Sequence, residues 1–101
     1  MIARVYFCKE PNIEFGILRN NKISRQALDT VYNLVWDCEF KNIVNVGKIW
    51  LKFMENKISP YGIPLRKKRS HNKIAPGDII QLSDDFYVVQ EVGARKIEVV
   101  D

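Results

Sequence analysis

Asp37, Glu39 and Lys41 occupy alternate positions of one short stretch, the spacing that puts side chains on one face of an extended strand. Glu39-Phe40-Lys41 fits the acidic-x-Lys element of metal-dependent nucleases, where a carboxylate holds Mg²⁺ and the lysine steadies the attacking water or the phosphate. Asp29 could supply an upstream acid, but no proline precedes it and no second acid stands out. Acidic and basic residues alternate on any solvated strand, where cross-strand pairing alone accounts for them. Nuclease chemistry is therefore the third-ranked reading.

Other reactive side chains are dispersed. His71 is the single histidine, and it sits in a basic stretch with no adjacent carboxylate to orient it. A general base needs such a partner and a dry site, so Ser70 beside it makes no triad. Asp84 and Asp85 fall in a hairpin signal, where aspartates bond nearby backbone amides. The five glycines are scattered and form no phosphate-cradling loop. Two cysteines and one histidine fall short of a usual structural zinc site unless carboxylates or a second chain contribute. Cys38 follows the apolar parity of its strand and Cys8 the more polar parity of its own, so free thiols are expected. No catalytic residue, metal or cofactor is assigned, and the chain reads as a non-enzyme.

The most conspicuous feature is electrostatic. Arg66, Lys67, Lys68, Arg69 and Lys73 lie in one acid-free run with Ser70, His71 and Asn72. The net charge is +4, so the remainder of the chain sums to −1. Such a patch suits phosphates or an acidic protein face, although loops also carry lysines for solubility. Tyr61 lies just before it, but no aromatic residues interleave the run, so stacking on single strands is not specially indicated. The binding surface is assigned to Arg66, Lys67, Lys68, Arg69 and Lys73, with Tyr61 and His71 at its edge.

These residues must be positioned by a single domain spanning 1–101, with the basic loop at about 60–75. Ala3, Val5 and Phe7 alternate with Arg4, Tyr6 and Cys8, which predicts a first strand over 2–9. Residues 13–18 are apolar enough for a short strand, and 19–22 read as a turn. Ser24 can cap a short helix over 25–30. Tyr32, Leu34, Trp36, Cys38 and Phe40 alternate with Asn33, Val35, Asp37, Glu39 and Lys41, which predicts a strand with one core face. Asn45 then caps an amphipathic helix whose Val46, Ile49, Trp50, Phe53 and Met54 recur at helical spacing. Trp50 and Phe53 are expected to pack on Trp36 and Phe40. Pro76-Gly77, Ser83-Asp84-Asp85 and Gly93-Ala94 separate three short strands of a C-terminal meander. The expected fold class is α+β, a mostly antiparallel sheet with one main helix packed on it. No apolar run approaches the ~20 residues of a spanning helix, and the N-terminus has no signal-peptide pattern. A cytoplasmic location without membrane association is expected.

Several segments resemble the YodL-like domain, a small α+β module of phages, conjugative elements and Gram-positive bacteria. They are Tyr32-Asn33-Leu34-Val35-Trp36-Asp37, the helix from Ile49 to Asn56, and Ile74-Ala75-Pro76-Gly77-Asp78-Ile79-Ile80 leading to Tyr87-Val88-Val89 and Gly93. Arg66 to Lys73 stands where that family has a small, serine-rich approach. The resemblance implies a non-enzymatic accessory protein of mobile-element type, acting in the host cytoplasm if phage-encoded. It would modulate or inhibit a host process, such as a defence system, by contact with a host protein or nucleoprotein complex. It supplies no catalytic residues. Direct nucleic-acid binding through the basic loop is the runner-up. A monomer or a homodimer is expected, since an exposed meander edge can pair with a second copy.

Overall fold

The computed structural model describes residues 1–9, 21–55, 59–68, 73–91 and 93–100. The elements are β1 (Ile2–Cys8), β2 (Lys22–Ser24), α1 (Arg25–Val31), β3 (Tyr32–Glu39), α2 (Val46–Met54), a 3₁₀ turn (Pro60–Gly62), β4 (Ile79–Leu82), β5 (Asp85–Val89) and β6 (Ala94–Val100). The strands form one sheet in the order β2-β6-β5-β4-β1-β3, antiparallel except for the β2–β6 pair. The fold is α+β as expected, with β4, β5 and β6 as the predicted meander. The short strand read over 13–18 lies outside the described residues. Lys22, read as part of a turn, instead begins β2, whose partner is at the far end of the sequence.

Period-two alternation sorts the strand side chains onto the two faces of the sheet. Ala3, Val5 and Phe7 of β1 join Ile49 and Phe53 of α2 in one apolar cluster. Cys8 joins Leu28 of α1 in a second, with Ile79, Val88 and Ile97. Cys8 and Cys38 therefore pack on opposite faces of the sheet. β4 is buried along its whole length because both faces of this central strand are covered. Both helices start as their sequences predict. The Ser24 side chain accepts from Ala27 N at 3.0 Å, and Asn45 Oδ1 accepts from Lys48 N at 2.9 Å.

The strict alternation expected along β3 does not hold. Val5 pairs with Trp36 while the next residue, Tyr6, pairs with Leu34, which leaves Val35 as the extra residue of a β-bulge. One inserted residue reverses parity for the rest of a strand. Tyr32 accordingly packs with the α1-side cluster, and Trp36, Cys38 and Phe40 pack on the α2 side. Val35, expected on the polar side, is fully buried.

Candidate functional site

The bulge places Trp36 at the centre of a run of rings. Phe53 stands edge-on to it at 5.4 Å, as the helix periodicity predicted, and Phe40 lies 6.3 Å away. Trp50 packs against the same cluster. The Tyr61 ring completes the run at the surface, 6.1 Å from Trp36 and edge-on to Phe40 at 5.2 Å. Lys52 Nζ lies over the Tyr61 ring, 5.5 Å from its centroid, within cation–π range.

The backbone that holds Tyr61 is unusual. Its φ of 55° and ψ of 24° lie in the left-handed region, which bulky residues avoid. Gly62 follows at φ 75°. Gly62 N and Ile63 N bond back to Ser59 O and Pro60 O, closing the turn, and Pro60 is buried beneath it. Tyr61 stays 37% exposed despite three neighbours. Partial burial pushes its phenol pKa up, with a smaller contribution from Cys38. Trp36 Nε1 is buried and has no hydrogen-bond partner among the described residues.

The basic run is tethered on both sides of this cluster. Arg66 N donates to Val35 O at 2.7 Å, one residue from Trp36. Ile74 N donates to Phe53 O at 2.9 Å, so Lys73 starts beside the same rings. Lys67, Lys68 and Lys73 are exposed. Arg69 and His71 lie outside the described residues. Arg66 differs from the lysines, because its Nε donates to Asp37 Oδ1 at 2.8 Å. The structure thus anchors the described ends of the basic run, at Arg66 and at Ile74 beside Lys73, to residues next to and within the aromatic cluster that holds Tyr61. It sets Lys52 and Phe40, which the sequence reading left out of the site, directly against Tyr61. Lys52 carried a faint signal, since it borders the apolar stripe of α2. Phe40 carried none, being assigned to the core.

The acidic-x-Lys stretch is arranged differently from the nuclease expectation. Asp37 is engaged by Arg66, while Glu39 and Lys41 are exposed. Among the described residues no group of three or more His, Cys, Asp or Glu side chains could hold a metal ion. A groove of about 690 Å³ opens on the α1 side, lined by Arg25, Gln81, Asp84, Asp85, Phe86 and Glu98 among others. Its charges largely offset one another, and Lys96 Nζ, also at its wall, lies 3.3 Å from Asp85 Oδ1.

Asp78 escaped the sequence reading, which saw only a turn at Pro76-Gly77. It is 1% exposed. Its Oδ1 accepts from Cys8 N at 2.9 Å and its Oδ2 from Ala75 N at 2.8 Å. A carboxylate with two backbone donors is a clamp between β1 and the loop before β4. It fixes the distal end of the basic segment through Ala75.

Comparison with family models, with curated proteins and with solved structures finds no match to this chain.

Proposed function

We propose that the chain is a non-enzymatic binding module. It contacts a host protein or nucleoprotein complex through the cationic segment from Lys67 to Lys73, with Tyr61 at its head. The mobile-element character of this reading rests on the resemblance of the Tyr32–Asp37 and Ile74–Ile80 segments to the YodL-like domain. The contact surface has its own support. The residues flanking the cationic segment, Arg66 and Ile74, bond through their backbone N–H groups to Val35 O, next to Trp36, and to Phe53 O, within one aromatic cluster. Lys67, Lys68 and Lys73, all exposed, each lie within two residues of one of these two backbone anchors, and anchoring of this kind lowers the ordering cost of binding an anionic surface. Arg66, just before the segment, is the residue that engages an acid, Asp37.

The test keeps Arg66, which is structural, and replaces Lys67, Lys68, Arg69 and Lys73 together by Gln. Immobilised protein is incubated with host-cell extract, with and without nuclease. The wild type retains a partner that the variant loses, while the variant's unfolding free energy stays within ~0.5 kcal/mol of wild type, as for exposed substitutions. A variant that retains the same partner overturns the assignment of the surface.

A further inference from the structure

Four observations converge on Tyr61. Its ring is exposed and held edge-on by Phe40. Its backbone occupies the left-handed region. A lysine ammonium lies over the ring. The cationic segment is tethered at Val35 and Phe53, beside the Trp36 ring against which Tyr61 packs. A strained residue persists where its surroundings over-determine it, and such residues gather at ligand clamps. Here the strain presents a large aromatic ring at the surface when the same turn could be made by glycine.

From this juxtaposition we infer that the surface takes single-stranded nucleic acid, with an unpaired base stacked at Tyr61 and the adjoining phosphates on Lys52, Lys67, Lys68 and Lys73. The inference rests on the binding reading above and names the partner class of that same surface. The chemistry follows from the parts. Single-strand sites combine aromatic side chains, on which any base can stack, with a cationic track for the backbone. A duplex hides its base faces and would meet only the lysines. An acidic protein surface would likewise use the lysines, but it would leave the ring at the centre without a planar partner. Lys52 Nζ now covers the ring, so a stacked base displaces it, and rotation of the Lys52 side chain alone carries the ammonium to the adjoining phosphate without rearrangement of α2. The sequence alone hid this arrangement because Phe40, Lys52 and Tyr61 come from three separate segments.

The experiment is fluorescence anisotropy with a labelled oligodeoxythymidine strand and with a labelled duplex of equal length, each at low and moderate salt. The strand is expected to bind tighter than the duplex by about tenfold or more, and Tyr61→Leu to weaken strand binding by about tenfold or more. Tyr61→Phe, which keeps the ring, retains binding. Lys67→Gln with Lys68→Gln flattens the salt dependence. Because Tyr61→Leu removes packing, a second readout uses folded Trp50→Phe protein, in which Trp36 is the remaining indole. Its emission shifts when the strand is added and stays unchanged with duplex. Equal affinity for duplex, an unaffected Tyr61→Leu variant, unchanged Trp36 emission, or no binding at low salt each overturns the inference. If a partner is still captured from nuclease-treated extract and lost with the lysine variant, the broader binding reading stands while this one falls.

Discussion

The Arg66 guanidinium donates from Nε to Asp37 Oδ1 at 2.8 Å, across 29 residues of sequence. This one contact revises two readings. Asp37, a candidate metal ligand by its spacing, is committed to a guanidinium. Arg66, counted among the free cations, is the staple that fastens the basic segment to β3. Its backbone N–H reinforces the staple by capping Val35 O at the bulge. In the proposed contact, binding therefore falls to the cations beyond it.

The pair is open to solvent, with Arg66 60% and Asp37 31% exposed. Exposed pairs contribute little, so Asp37→Asn is expected to lower the unfolding free energy by less than ~1 kcal/mol in urea titration. Partner binding should survive, since Asp37 is no part of the proposed contact. A loss of binding without a loss of stability would show that Asp37 itself meets the partner.

Asp78 behaves oppositely because it is buried. Asp78→Ala removes the acceptors of Cys8 N and Ala75 N together. Depriving buried donors of their partners costs on the order of 2–4 kcal/mol in sum. Asp78→Asn keeps one side-chain acceptor oxygen and should fall between the alanine variant and wild type. Denaturant midpoints for the three proteins check the order, and equal stability would remove the clamp from the account.

Locally encoded features were legible. Asn45 and the stripe Ile49–Phe53 specify α2 through its own capping bond and its own periodicity, and the packing of Phe53 on Trp36 followed. Features set by distant chain segments were not. Nothing in the alternation of Tyr32 to Phe40 marks Val35 as the extra residue, because β1 imposes the register from the other side of the pair. Lys22–Ser24 is a strand only because β6, at the other end of the chain, offers its edge. The site shared this fate. Arg66 to Lys73 was visible as a charge run, but the Tyr61–Phe40–Lys52 arrangement needed the bulge, the turn and the helix together.

The β4–β5 hairpin offers a stabilising change. Leu82 pairs with Asp85, so Ser83 and Asp84 form a two-residue loop, and Ser83 adopts φ 54°. That conformation costs a non-glycine residue about 1–2 kcal/mol, whereas glycine's extra freedom in the unfolded chain costs roughly 0.5–1 kcal/mol. Ser83 holds its neighbours through backbone atoms, N–H to Ile2 O at 2.7 Å and carbonyl to Gln81 Nε2 at 2.8 Å. Glycine would keep both bonds. Ser83→Gly is expected to raise stability by ~0.5–1 kcal/mol in denaturant unfolding. A decrease would assign the exposed hydroxyl a role.

Alkaline sensitivity should trace to Tyr32. Its hydroxyl donates to Gly77 O at 2.6 Å within the α1-side core. Burial pushes its pKa well above the ordinary 10.0, with smaller electrostatic contributions from Cys8 and Asp78 in the same direction. The sign follows from proton counting. Above pH 10.0 the unfolded chain releases this proton while the folded chain keeps it, so the unfolded state binds fewer protons and stability falls as pH rises. The contribution is complete below that point and declines steadily beyond it. Tyr6, raised chiefly by burial, adds in the same direction. Tyr32→Phe should cost about 1 kcal/mol at neutral pH through the lost hydrogen bond, yet its stability should decline less steeply above pH 10.0 than that of wild type. Denaturant unfolding across that range decides the matter, because parallel curves for the two proteins would place the alkaline loss on other groups.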